Sequence, residues 1–165
     1  MKAFATDNSI LSNVMNVAKT SSITVNSPND YLVRGFGQIA TKALTFSNDT
    51  GTVSLFTVTG DVIVRIVPIC KTNVASAAAG SIELGVSGDV NAMIASTTGT
   101  DIDANEIWHD ASPDSNIEAE SVSRNYLISN GDDVILTLSA QIDSGAITFY
   151  CFWVPLSSDG NVLVV

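Results

Sequence analysis

From about residue 36 onward, short apolar runs recur between turn signals spaced roughly 8–12 residues apart, the spacing of a β-sandwich or barrel. Period-two alternation is cleanest in 81–87. Ile82, Leu84 and Val86 share one face there, and Glu83, Gly85 and Ser87 the other. Segment 133–139 alternates too, with Val134, Leu136 and Leu138 on the inward side. The punctuation between runs is rich in Gly, Asn and Asp, residues that tolerate turn conformations. Asn48-Asp49-Thr50-Gly51 predicts a hairpin turn between strands 39–47 and 52–59. Gly60-Asp61 separates 52–59 from 62–71, and Gly88-Asp89 separates 81–87 from 90–95. Asn130-Gly131-Asp132 precedes a strand at 133–140, Ser144-Gly145 one at 146–154, and Ser158-Asp159-Gly160 one at 161–165.

Three strands break the alternation. In 62–67 the run Val-Ile-Val-Arg-Ile-Val is apolar on both faces apart from Arg65. In 146–154 Ile147, Phe149, Cys151 and Trp153 share one face, while Tyr150, Phe152 and Val154 share the other. In 161–165 the run Val162-Leu163-Val164-Val165 is again apolar on both sides. A strand with one face in solvent is half polar, so these strands need cover from outside as well as from the core. A second copy of the chain supplies it in a closed symmetric oligomer, a homotrimer being favoured. The residues expected at that interface are Val62, Val64, Ile66, Phe152, Val154, Val162 and Val164. The long segment 96–125, folding back, is the alternative cover.

The first thirty-five residues read differently. They are rich in Ser, Asn and Thr, with Ile10, Val14 and Val17, and Leu11, Met15 and Ala18, at helical spacing. Asp7 is placed to cap a short helix at about 8–18. Ser27-Pro28-Asn29-Asp30 is a turn. Residues 1–35 are therefore read as an extended N-terminal arm and residues 36–165 as one β-sandwich domain. An arm of this kind lies on a neighbour or frays.

Length sets the domain count. At 165 residues the chain is sized for a single domain that folds without metal or disulfide. No apolar run approaches the ~18 residues of a membrane span, and the polar turn at Thr6 predicts synthesis in a cytoplasm without a cleaved leader. Charge then separates the two halves. Residues 1–71 carry six basic and four acidic residues, whereas residues 72–165 carry thirteen acidic residues and one basic, Arg124. The net charge of −10 argues against a nucleic-acid partner, which needs clustered Lys and Arg. The two cysteines, Cys70 and Cys151, sit in strand-like runs and are read as buried free thiols.

The candidate chemistry is sparse. Asp101, Asp103 and Asn105 begin like a calcium loop, with oxygen ligands at alternate positions. Glu106 then stands where such a loop needs glycine, and Ser112 where it needs a bidentate glutamate. The plain reading is a solvated acidic loop whose carboxylates cap turns. His109 is the single histidine, flanked by Trp108 and Asp110. It has no nucleophile elbow to serve, since Gly85-Val86-Ser87-Gly88 has the wrong spacing. Paired carboxylates such as Glu118 and Glu120 are expected by chance in a stretch with seven acidic residues between 101 and 120. The expectation is no enzyme, no cofactor and no resident metal.

Four stretches carry a resemblance: LFTVTGDVIVRI at 55–66, DIDANEIWHDASP at 101–113, NGDDVILT at 130–137 and ITFYCFWVPLSSDGNV at 147–162. Together they resemble a group of small all-β virion structural proteins of tailed bacteriophages, of the capsid decoration or cement type. The resemblance runs from about residue 50 to the last residue of the sequence. It implies a place in the virion, no catalysis, and a partner in the major capsid protein. By analogy of architecture the expected fold is all-β, a single jelly-roll-like sandwich with an arm. The arm residues expected to touch the capsid are Lys2, Ile10, Leu11, Val14, Met15 and Lys19. The competing expectation is a receptor- or carbohydrate-binding module on a tail or fibre, using the aromatic strand or the 96–125 segment.

Overall fold

The computed structural model describes residues 37–113, 116–117 and 124–165. The arm, its helix at 8–18 and the capsid contacts expected of Lys2, Ile10, Leu11, Val14, Met15 and Lys19 lie outside the described residues. The chain divides into two units, Met1–Ile39 and Ala40–Val165, and the second holds the architecture described here.

Among the described residues, the alternating and two-sided apolar runs form seven strands: β1 Gln38–Thr59, β2 Val62–Ala75, β3 Ser81–Val86, β4 Asp89–Thr98, β5 Tyr126–Ile128, β6 Val134–Pro155 and β7 Asn161–Val164. A 3-10 turn, Gly99–Asp101, follows β4. The strands join one antiparallel sheet in the order β4-β3-β6-β1-β7, with β2 branching from β6 and carrying β5. The all-β expectation holds.

Two predicted strand breaks are not breaks. Asn48-Asp49-Thr50-Gly51 lies inside β1, and Ser144-Gly145 lies inside β6, each a continuous strand of 22 residues. The residues do adopt the turn-like backbone their identities favour: φ is 62° at Asn48, 76° at Gly51 and 125° at Gly145. They use it to bend a strand instead of reversing it. A bend of this kind lets one strand pass from one packed layer into the next. The Gln141 side-chain amide donates to Asn48 Oδ1 at 2.8 Å. At the other end of the pair, the Val58 amide donates to Asp133 Oδ1 at 2.9 Å. Position 48 thus sits by 141 and position 58 by 133, so the two long strands run antiparallel.

The bend explains how one strand serves two neighbours. The first part of β6 pairs with β3, from Val86↔Val134 to Ile82↔Leu138. The second part pairs with β2, from Ala75↔Ser144 to Val62↔Pro155, with bulges between Cys70 and Ala75. The sheet folds over its own inner face, and its edge strands β4 and β5 approach each other. There the Tyr126 hydroxyl donates to the Met93 carbonyl at 2.8 Å.

The core is the inner face of this folded sheet. Val62, Val64, Ile66 and Cys70 of β2 meet Trp153, Cys151 and Ile147 of β6, with Ile82 and Leu84 of β3 paired to Leu138 and Leu136. Each such side chain contributes about 1.5–3 kcal/mol on full burial. The acidic segment supplies two more core residues, Ile102 and Trp108, both fully buried. It runs back along β2: the Cys70 amide donates to Glu106 O, the Val74 amide to Ile102 O, and the Trp108 amide to Pro68 O. The first half of the long segment therefore covers an edge of β2 where β5 has ended.

Both cysteines are free and buried. Cys151 stands opposite Ile66, four residues along β2 from Cys70. At about 3.3 Å per residue that is well beyond disulfide reach. Burial pushes the Cys151 thiol up to about 12, and the Cys70 thiol up to about 11. The folded chain therefore holds both protons where the unfolded chain, with ordinary thiols near about 8.5, releases them. This contribution is whole below the ordinary thiol range and is lost as pH rises through the folded values. Urea stability is expected to decline between roughly pH 8.5 and 12, and less steeply in Cys151→Ala. Equal slopes in both proteins would show that Cys151 does not govern the decline.

Candidate functional site

The two outer faces of the folded sheet differ in chemistry. Over β4, β3 and the first part of β6 the outward residues are mostly hydroxyls with a carboxylate, and Ile135 is a buried apolar exception. Ser96 Oγ donates to Ser81 Oγ and Ser81 Oγ to Ser139 Oγ, each at 2.9 Å, while Glu83 stands opposite Thr137. Over β5, β2 and the second part of β6 the outward residues are mostly apolar. Leu127, Ile63 and Val154 form one cross-strand row over three strands. The next rows along are Arg65 with Phe152, Val67 with Tyr150, and Ile69 with Thr148. Leu127 is 75% exposed and Val154 37%, so the end of this face at the first row opens to solvent. Further along, the Arg65 guanidinium carbon lies 5.7 Å from the centroid of the Phe152 ring, a cation–π contact that lets the one charge sit among apolar neighbours.

The fold distributes the residues expected at the oligomer interface over two faces. Val62, Val64, Ile66 and Val162 are buried in the core of the single chain and present nothing to a second copy. Phe152 and Val154 point the other way, onto the outer face, and Val164 is exposed on β7 beside Phe56. The expected set thus mixes two opposite faces of one sheet. The reason is physical: on a strand apolar on both sides, period-two alternation identifies two faces without saying which is inner. The register decides it. Val64 stands opposite Trp153 and Ile66 opposite Cys151, so these four share the core side. The residues that sequence reasoning passed over are Ile63, Val67 and Leu127.

The acidic segment is built from turn caps. Asp103 Oδ1 accepts from the Asn73 amide group at 2.7 Å, and the Asp103 backbone amide donates to Glu106 Oε2 at 2.7 Å. Asn105 takes φ of 75° and its amide donates to Cys70 O. Asp101, Asp103 and Asn105 are exposed, and no group of three His, Cys, Asp or Glu placed to hold a metal occurs among the described residues. His109 has a side chain 12% exposed, with Nδ1 3.4 Å from Asp110 Oδ2.

No protein-family model matches the chain. No curated protein matches it either. Among solved structures, a chain from the acidic stable capsid of Helicobacter pylori bacteriophage KHP30 is similar at 11% identity with a TM-score of 0.44, over 77% of this chain and 92% of that one.

Proposed function

We propose that the protein is a non-catalytic structural component of a tailed-phage virion, a decoration protein that binds the outside of the assembled head and stabilises it. The observation that carries this reading is the contrast between the two outer faces. A hydroxyl-rich face suits solvent, and a face with Leu127, Ile63 and Val154 in one row suits burial against another protein. The motif resemblance at 55–66, 101–113, 130–137 and 147–162 names the setting. In this reading the apolar face is buried between copies of the chain, and residues 1–35 reach neighbouring capsid subunits. Interfaces of roughly 1,600 Å² repeated over a shell add up through multivalency.

The test is native mass followed by co-sedimentation with capsids lacking the protein. The wild-type chain is expected to be an oligomer that pellets with capsids, and to lose that binding when residues 1–35 are removed. The double variant Leu127→Asp, Val154→Asp is expected to become monomeric while keeping its melting temperature within a few degrees, because both side chains already face solvent in the single chain. A wild-type monomer that ignores capsids overturns the proposal. A second reading, a carbohydrate-binding module of a tail or fibre, draws on Tyr150 and Phe152 at the outer face. Phe149 and Trp153 are not part of that platform, since both lie in the core. Specific binding on a glycan array, lost in Tyr150→Ala, would favour it.

A further inference from the structure

Where the edge strands β4 and β5 approach, the sheet does not close. A cavity of about 470 Å³ remains, lined by β4 from Asn91 to Ala95, by His109 and Asp110, and by Arg124 and Tyr126. That volume is in the range of small-molecule sites. A narrow extension touches Ile66 and Leu84, so the floor reaches the core. Met93 belongs to β4, the end strand of the sheet among the described residues, and its carbonyl takes the Tyr126 hydroxyl. Burial raises the Tyr126 phenol above its ordinary range, against the pull of Arg124, so the ring stays a neutral donor.

The charges in the cavity are unequal in a telling way. Asp110 has partners of its own: Oδ1 accepts from the Ser112 amide at 2.7 Å and Oδ2 lies by His109. Arg124 is the one basic residue in a stretch, 72–165, that holds thirteen acidic ones. Even so, among the described residues it forms no ion pair or hydrogen bond, and it lines the cavity instead. A planar guanidinium offers a two-pronged donor matched to an oxyanion. We infer that the cleft between β4 and β5 binds a small organic molecule bearing one oxyanion, a carboxylate or a phosphate, held by Arg124, with its apolar body over Met93 and Ile94. Asp110 at the rim disfavours a second negative group.

The experiment is a titration of the full-length, nitrogen-15-labelled chain with butyrate, with its neutral isostere butyramide, and with inorganic phosphate. The expected result is saturable shifts at the Met93 and Tyr126 amides and the Arg124 Nε with an anion, and none with butyramide. Saturation by butyrate assigns a carboxylate, and saturation by phosphate alone assigns a phosphate. Arg124→Gln is expected to weaken binding about tenfold and to keep the fold, since the side chain is exposed and forms no hydrogen bond or ion pair among the described residues. Lys42→Gln, remote from the cavity, is expected to bind as the wild type does. Equal binding of butyramide, shifts that never saturate with any anion, or an Arg124→Gln variant that binds unchanged would each overturn the assignment.

Discussion

Gly145→Ala is expected to destabilise the protein by about 3 kcal/mol or more, although it adds a single methyl group. Gly145 sits in the middle of β6 with φ of 125°. That backbone region is almost closed to residues with a Cβ and costs of order 1–3 kcal/mol. Space is the second obstacle. A Cβ there would lie 2.7 Å from Val74 Cα and 2.9 Å from Asn73 O, both backbone atoms of β2. Neither can swing away as a side-chain tip can, so β2 and β6 must part at the bulge where β2 ends its pairing. Gly51 is the internal control. Its φ of 76° is also positive, but a Cβ would meet nothing within 4 Å. Gly51→Ala is expected to cost only about 1 kcal/mol, the conformational part alone. Urea unfolding of the two variants separates the effects. If they lose the same stability, the close approach at Gly145 is not what holds the bend.

The same glycine shows where the sequence was legible and where it was not. Strand content, and the turns at Gly60-Asp61, Gly88-Asp89, Asn130-Gly131 and Ser158-Asp159-Gly160, follow from local chemistry and appear in the fold. Asn48, Gly51 and Gly145 were read as turn residues, and each takes positive φ inside a strand instead. What local chemistry does not state is whether positive φ reverses a strand or bends it, because both use the same residues. That choice is made by partners far away in sequence, such as Gln141 on Asn48. The candidate face shows a similar division. Two-sided apolar strands announce that a second layer of cover is needed, and Phe152 and Val154, both expected there, were placed outward by the fold. Val64 and Ile66 were not, because the inner side is fixed by pairing with Trp153 and Cys151. Arg124 carried a signal in its isolation among acidic residues, yet its cavity exists only because β4 and β5, separated by the 27 residues 99–125, meet in space.

Trp108→Ala is expected to cost about 3–5 kcal/mol, the range for deleting a fully buried large aromatic. Trp108 is 0% exposed and, with Ile102, fills the core from a segment that is largely polar and acidic. Its indole Nε1 donates to Thr97 Oγ1 at 2.8 Å in a buried site. The Thr97 hydroxyl in turn lies 3.0 Å from Ala95 O and 3.1 Å from Asp110 O, within donating reach of both. One threonine thus ties the indole, the edge strand β4 and the acidic segment together. Thr97→Val keeps the shape but strands the indole N–H, at a cost of about 1–3 kcal/mol. Trp108→Phe removes the donor and leaves some of the packing. In the double variant neither indole nor hydroxyl remains, so the combined loss is expected to fall short of the sum by about 1 kcal/mol. Strict additivity would mean the bond carries no coupling. The predicted consequence reaches beyond stability. Ile102 and Trp108 anchor a segment whose backbone bonds run to Pro68, Cys70 and Val74. In Trp108→Ala, hydrogen exchange at the amides of Cys70, Asn105 and Trp108 should therefore rise further than exchange in the β3–β6 pairing. His109 and Asp110, next along the chain, form one wall of the β4–β5 cleft. Loosening their anchor should weaken anion binding there while leaving Arg124 in place, which distinguishes a wall that shapes the site from the charge that fills it.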